Sequence, residues 1–315
     1  MNESAPGKKA AAPGTRILVL AGPTASGKTT LAIELARRLG GEIVNADSQQ
    51  VYRGLDMGTA KPTAAERAAI PHHLLDVVFP GEDMDAARFV ALADQAIADI
   101  ARRGRFPLVV GGTGLYVRAL LHGVVAAPGR DPELRARLEE EAARHGRPAL
   151  HARLAAVDPV AAARIRPMDL VRVVRALEIA AGGKRPSDLH AAHGFQDQRY
   201  AAALLALDPP RAELHARIAA RIEAMFAGGL LEETRALLDR SGGVLPDRVP
   251  IGYAEAAACL RGEISRAEAV RRMEAAHRRY ARRQVIWLRK EPGVRWVAPP
   301  YDADALAVDL AGGAG

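Results

Sequence analysis

Eight residues constrain this chain more than any others: Gly22-Pro23-Thr24-Ala25-Ser26-Gly27-Lys28-Thr29. They match G-x-x-x-x-G-K-[ST]. An apolar run, Ile17 to Leu20, precedes them, and Leu31, Leu35 and Leu39 follow at helical spacing. Strand, glycine loop and helix in that order form the setting in which such a loop binds phosphate. Backbone N–H groups, the positive end of the helix and a lysine then point at one polyphosphate. Lys28 suits the outer phosphates and the Thr29 hydroxyl suits Mg²⁺. An incidental glycine turn leaves Lys-Thr at a helix start unexplained.

Further segments extend the pattern. Residues 16–21 read as a buried strand and 28–39 as a helix. Glu42 to Ala46 read as a second strand, Ala86 to Arg102 as a helix and Pro107 to Val110 as a third strand. A second glycine turn, Gly111-Gly112-Thr113-Gly114, follows. Alternating strands and helices predict a P-loop NTPase-like parallel α/β sheet, with ligands at the carboxyl ends of its strands. The first glycine loop, Asp47 and Thr113 all lie just past such ends. From Asp131 to about Gly194 the spacing turns almost purely helical, with Leu134, Leu138 and Ala142 on one helix. Leu170, Val173, Val174 and Leu177 mark another at i, i+3, i+4, i+7. A strand at Tyr200 to Leu207 and helices over 211–227, 230–239 and 266–289 complete the pattern. The expected layout has a disordered tail at 1–14 and a P-loop core over 15–130 and 198–300 with C-terminal helices. An inserted helical subdomain occupies 131–197, and a C-terminal tail 301–315.

Composition narrows the class. Across 315 residues, 49% are hydrophobic and 26% charged, as in a globular protein. The net charge of +7 hints at a polyanionic partner but does not establish one. Cys259 is the single cysteine, so neither an internal disulfide nor a cysteine zinc site can form; a small core residue is expected there. No h-region precedes Arg16 and no apolar run approaches the ~20 residues of a membrane span. A cytoplasmic monomer with no membrane association is expected.

A hydrolase of ATP or GTP carries a Walker-B acid at the end of a second buried strand. The strand at Pro107 to Val110 ends instead in glycines and Thr113. Asp47 sits at a strand end opposite the phosphate loop, where it could ligate metal, accept a proton or cap a helix. Ser48, Gln49 and Gln50 supply groups suited to a base edge. Lys61 falls on a turn. His72 and His73 make a poor metal pair, because adjacent residues diverge on any regular backbone. Arg164, Arg166, Arg172 and Arg175 cluster, as do Arg278, Arg279, Arg282, Arg283 and Arg289 around Tyr280, Gln284 and Trp287. Like-charge pairs at i, i+4 each cost roughly 0.2–0.5 kcal/mol, which a neighbouring polyanion would offset. Core packing is the expected role of Trp287. Arg217 and Arg221, also at i, i+4, either reach the phosphate site or face solvent.

Taken together, GPTASGKT, ADSQQVYRGLDMGTAKP, PHHLLD, GGTGLY, DPVAAARIRPMDLVRVVRALEI, IGY and RRQVIWL resemble the tRNA dimethylallyltransferase (isopentenyltransferase) family in its bacterial form, over roughly residues 16–297. The resemblance implies transfer of a dimethylallyl group from its diphosphate to N6 of adenosine 37, in tRNAs reading codons that begin with U. Residues 22–29, Arg217 and Arg221 then hold diphosphate, with Mg²⁺ near Thr29. Asp47 is the implied general base, and Lys28 and Thr113 complete the catalytic set. Implied contacts to the tRNA anticodon stem-loop are Asp47, Ser48, Gln49, Gln50, Thr113, Arg135, Val171, Arg172, Val173, Val174, Arg175, Ile251, Gly252, Tyr253, Arg282, Arg283, Gln284 and Arg289. The family commonly has Thr at His277, Lys at Arg282 and a basic residue at Ala254, and the zinc-finger tail of eukaryotic relatives is absent. Transfer to free AMP or ATP, a small-molecule kinase and a non-catalytic RNA-binding module are the rival readings.

Overall fold

The computed structural model describes residues 14–125, 127–194 and 197–312. They divide into two compact units, His122–Asp197 and the residues on either side of it.

The larger unit opens with β1 (Arg16–Ala21), α1 (Lys28–Leu39), β2 (Gly41–Asn45), α2 (Ala64–Ala69), β3 (His72–His73), α3 (Ala86–Arg102), β4 (Phe106–Gly111) and α4 (Gly114–His122, whose last residue falls in the other unit). The helical unit contributes α5 (Pro132–His145), α6 (Arg147–Val157), α7 (Pro159–Arg164), α8 (Leu170–Ala181) and α9 (Pro186–His193). The larger unit resumes with β5 (Ala201–Leu207), α10 (Arg211–Ala227), α11 (Leu230–Arg240), α12 (Tyr253–Leu260), α13 (Arg266–Leu288), β6 (Val294–Val297) and α14 (Ala303–Gly312).

Six parallel strands form one sheet in the order β3-β2-β4-β1-β5-β6. Alternation along the strands sends Ile17, Val19, Val44 and Val109 to one face, where Phe89, Ile97, Tyr116 and Leu120 of α3 and α4 cover them. Leu18, Leu20, Ile43 and Leu108 go to the other face, against Leu31 and Leu35 of α1. Both faces are apolar because helices cover both, which is why the strands read as continuous hydrophobic runs. Since β2, β4 and β1 are neighbours, the segments leaving them meet at one edge of the sheet.

Differences from the sequence reading concern the unit's periphery, where the edge strand β6 also was not expected. The stretch 301–315, expected as a tail, contains α14. Ala303 and Ala307 join the core beside α1, and Arg38 clasps Asp304 through two hydrogen bonds of 2.5 and 2.9 Å. Small alanines bury little surface each, so their period was weak. The short strand β3 was also missed. His73 Nε2 meets Glu42 Oε2 at 2.7 Å and His72 Nδ1 meets the Ile70 carbonyl at 2.7 Å, so both histidines tie a sheet edge. Cys259 is half-buried beside the core of α10–α13.

The helical unit has its own core: Leu138, Leu150, Leu154, Val173, Val174 and Leu177. Val173 and Val174 therefore face inward, with exposures of 1% and 0%, and their side chains cannot meet tRNA as the resemblance implied. They belong to the apolar stripe that made α8 recognisable.

Candidate active site

The loop between β1 and α1 is bent by its own backbone. Gly27, the residue before α1, has φ 93°, and Ala25 lies at φ 63°. Glycine takes that conformation without strain and alanine does so at a cost. Lys28, at the head of α1, donates from Nζ to the carbonyls of Gly22 (2.9 Å) and Pro23 (2.7 Å). Two arginines of α10, one helical turn apart, reach the same loop. Arg217 Nη1 donates to Ser26 O at 3.2 Å, and Arg221 Nη1 to Thr24 Oγ1 at 3.5 Å. Arg217 is also held by Glu213. The Ser26 hydroxyl is buried with no partner among the described residues.

Asp47 follows β2 and lines the same cavity as Thr24 to Thr29, Gln49, Gln50, Arg221, His277 and Tyr280. Its Oδ1 accepts from Gln49 N at 2.9 Å, and its own N–H donates to Asn45 Oδ1 at 3.2 Å. The carboxylate thus closes an Asx turn and caps no helix. Oδ2 has no hydrogen-bond partner among the described residues.

Charge and burial set the proton affinities here. Burial raises the Asp47 carboxyl above its ordinary value, against the Gln49 hydrogen bond and the Lys28, Arg221 and His277 charges. Burial lowers Lys28 to about 8, partly offset by Asp47 and reinforced by Arg221. Arg221 and His277 are also lowered, chiefly by burial, and Tyr280 is raised by burial and by Asp47. Such opposed shifts in one cavity mark a place where protons and anions are handled.

The second glycine turn holds Asp47's neighbours. Thr113 Oγ1 accepts from Ser48 N at 2.9 Å and donates to Ser48 Oγ at 3.0 Å, and the Tyr280 hydroxyl lies beside both side chains. Thr113 thus braces the turn with its one hydrogen and one of its two acceptor lone pairs.

Gln284, expected to contact tRNA, is 4% exposed and does something else. Its Oε1 accepts from Thr24 N at 2.8 Å, and its Nε2 donates to Gly112 O at 3.1 Å. It ties the phosphate loop to the second glycine turn. A Cβ on Gly112 would lie 2.0 Å from Gln284 Nε2, and one on Gly114 would lie 2.1 Å from the Trp287 ring. Only glycine lets α13 come this close. Trp287 is half-buried against the core, as expected.

Other expected tRNA contacts divide by exposure. Arg282, Arg283, Arg289, Arg172 and Val171 are exposed. Arg135 is bound to buried Glu178 at 2.8 Å, and Arg175 donates to Pro128 O at 2.7 Å. Ile251 N donates to Gln49 Oε1 at 3.1 Å. Gly252 is buried, and a Cβ there would strike Met273. Tyr253 is fully buried, so its expected tRNA contact is corrected to a core position, beside Ala256 and Val249 of the same apolar stretch. His277 and Tyr280 were not selected as site residues. The signal was the face His277, Tyr280, Gln284, Trp287 at i, i+3, i+7, i+10 of α13, opposite the arginine rows.

No group of three His, Cys, Asp or Glu able to hold a metal occurs among the described residues. A magnesium-type ion ordinarily takes one or two protein oxygens, with phosphate and water supplying the rest. Thr29, lining the cavity next to Lys28, fits that sparse donor set.

The IPP transferase family model matches residues 50–291, and the isopentenyl transferase model matches 15–76. The tRNA dimethylallyltransferase of Anaeromyxobacter dehalogenans strain 2CP-C is 79% identical over 93% of this chain and 98% of its own. That of Myxococcus xanthus is 54% identical over 91% and 94%. Among solved structures, the full-length tRNA isopentenylpyrophosphate transferase of Bacillus halodurans is 38% identical, with TM-score 0.67 over 94% of each chain. A eukaryotic dimethylallyltransferase described as acting on tRNA is 28% identical, with TM-score 0.75 over 90% of this chain and 74% of its own. The protein with this phosphate loop, facing carboxylate and second glycine turn belongs to the IPP transferase family, that of the tRNA dimethylallyltransferases.

Proposed function

We propose that this chain transfers the dimethylallyl group of dimethylallyl diphosphate to N6 of adenosine 37, in tRNAs reading codons that begin with U, and releases diphosphate. The observation that carries this is Asp47 facing Lys28 and the phosphate loop in one cavity.

Breaking the allylic C–O bond leaves its electron pair on diphosphate, and the N6 lone pair forms the new C–N bond. Charge grows on the leaving oxygens, where the N–H groups of Ala25, Gly27, Lys28 and Thr29, the Lys28 ammonium, Arg217 and Arg221 stand ready. Donors fixed before the reaction are the strongest stabilising device an enzyme has. Mg²⁺ bound beside Thr29 would add charge neutralisation on the phosphates. The exocyclic amine is a weak nucleophile because its lone pair is delocalised into the ring. Asp47 Oδ2 therefore takes the N6 proton as the new bond forms. Thr113 holds the turn that carries Asp47. The target base leaves its stack to enter the cavity, at a cost of a few kcal/mol. Arg172, Arg282, Arg283 and Arg289 meet phosphates of the stem-loop, and Val171 covers an unstacked base.

No described helix is long and apolar enough to cross a membrane. Incubation with labelled dimethylallyl diphosphate and either tRNA or AMP tests the reading. Label in the tRNA nucleoside N6-dimethylallyladenosine is the expected result; label in AMP alone overturns it.

A further inference from the structure

Glu233 of α11 is a carboxylate that no step above uses. Three successive main-chain donors receive it: Asp56 N at 2.7 Å, Met57 N at 2.9 and 3.1 Å, and Gly58 N at 3.1 Å. The Tyr253 hydroxyl donates to the same carboxylate. Tyr253 is 0% exposed, and its ring lies against Gly58, where a Cβ would come within 2.6 Å of it. From the other side, the buried Lys61 donates to Asp56 Oδ1 and Asp76 Oδ1, each at 2.6 Å. The turn 56–60 is thus gripped twice by charge.

That turn presents two carbonyls to the cavity wall. Thr59 O and Ala60 O accept from Gln50 Nε2 at 3.2 and 3.0 Å. Both hydrogens of that amide are committed, so the free end of Gln50 is Oε1, an acceptor only. Gln49 is fixed in the opposite sense. Its Oε1 accepts from Ile251 N, which leaves its amide hydrogens as the free end. An acceptor beside a donor matches the amino group and ring nitrogen of adenine. A purine with an oxo group at C6 reverses that pattern, with an acceptor at C6 and a hydrogen on N1.

We propose that Glu233 and Tyr253 are positioning residues for purine discrimination: by locking the turn 56–60 they turn the Gln50 amide so that its oxygen faces the substrate base. The inference rests on the proposed function, in which the target base enters this cavity. It assigns a role to the half-buried Glu233 and the buried Tyr253, the second of which the sequence placed on the tRNA surface.

The test compares affinity for an anticodon stem-loop carrying adenosine 37 with one carrying inosine 37, in wild type, Tyr253→Phe, Glu233→Gln and Gln50→Ala. Melting temperature and dimethylallyl diphosphate affinity are measured alongside. Tyr253→Phe keeps the ring against Gly58, so it remains informative should Glu233→Gln fail to fold. The expected result is an adenosine-over-inosine preference that shrinks about tenfold in both clasp variants and in Gln50→Ala, with dimethylallyl diphosphate affinity unchanged. A preference intact in the clasp variants but lost in Gln50→Ala overturns the positioning role and leaves the base-reading role standing. A preference intact in Gln50→Ala overturns the base-reading role and the inference with it, even if the clasp variants lose it. Equal loss of both affinities, tracking melting temperature, reduces the clasp to a packing device and also overturns the inference.

Discussion

Two segments face each other across the cavity, and they are built in opposite ways. The phosphate loop takes its bend from its own neighbourhood, since Gly27, the start of α1 and Lys28 folding onto Gly22 and Pro23 all fall within eight residues, and Gln284, Arg217 and Arg221 brace it from outside. The turn Asp47–Gln50 borrows its shape from distant segments. Thr113 holds Ser48, Ile251 holds Gln49, and Thr59 and Ala60 hold Gln50. An anion can be cradled by a short run of amides, because every residue carries one. A base edge needs donors and acceptors in a fixed pattern, and side chains acquire that pattern only when several elements restrain them.

The contrast can be broken most forcefully at Asp47. Asp47→Ala is expected to lower turnover at least ~100-fold while tRNA affinity holds. Single-turnover assays with a parallel binding titration read both, and unchanged turnover removes Asp47 from the chemistry. Lys28→Met comes next, with about a 100-fold loss in kcat/KM for dimethylallyl diphosphate and none in tRNA affinity. A loss shared by both substrates would erase the distinction between the two segments.

The pH profile sharpens the same comparison. Lys28 titrates at about 8. As pH rises through that value the loop loses a positive charge, so kcat/KM for dimethylallyl diphosphate falls about tenfold per unit. The raised carboxyl of Asp47 sets the other limb: as pH falls through its shifted value, the base becomes protonated and the rate drops. A profile in Lys28→Arg that keeps the alkaline limb near 8 would falsify the assignment to Lys28.

Smaller effects probe the borders. Gln284→Ala removes two hydrogen bonds between the phosphate loop and the second glycine turn, worth roughly 1–3 kcal/mol. Dimethylallyl diphosphate binding is expected to weaken about tenfold, and isothermal titration reads it directly. A change confined to tRNA would restore the contact implied by the sequence. Arg172→Ala is expected to weaken tRNA binding only a few-fold and to lower the salt slope by about one; a flat response takes Arg172 off the phosphate backbone.

Legibility in the sequence followed the same division. The strand–loop–helix at 16–39, both glycine turns and the helices at 86–102 and 266–289 could be read because their signals are local. Position along a motif said nothing about which way a side chain points. Val173 and Val174 sit among exposed Val171 and Arg172, yet they fill the core of the helical unit. Tyr253 and Gln284 look equally suited to RNA and to hydrogen bonding within the fold, and only their partners across the fold decide. Lys61, expected on a turn, is the buried counter-charge of Asp56 and Asp76. Alanine-rich α14 and the short β3 lacked the apolar contrast that periodicity requires.

The centre of the sheet also governs how this chain must be made. β1 leaves the ribosome first but pairs with β4 on one side and with β5 on the other. The whole helical unit is translated before β5 arrives. Until then an apolar strand offers one unsatisfied edge, the kind that recruits other nascent chains. Synthesis halted anywhere between Gly123 and Tyr200 should therefore yield aggregates rather than a soluble half-enzyme, and slow codons in that stretch would make biogenesis more dependent on chaperones.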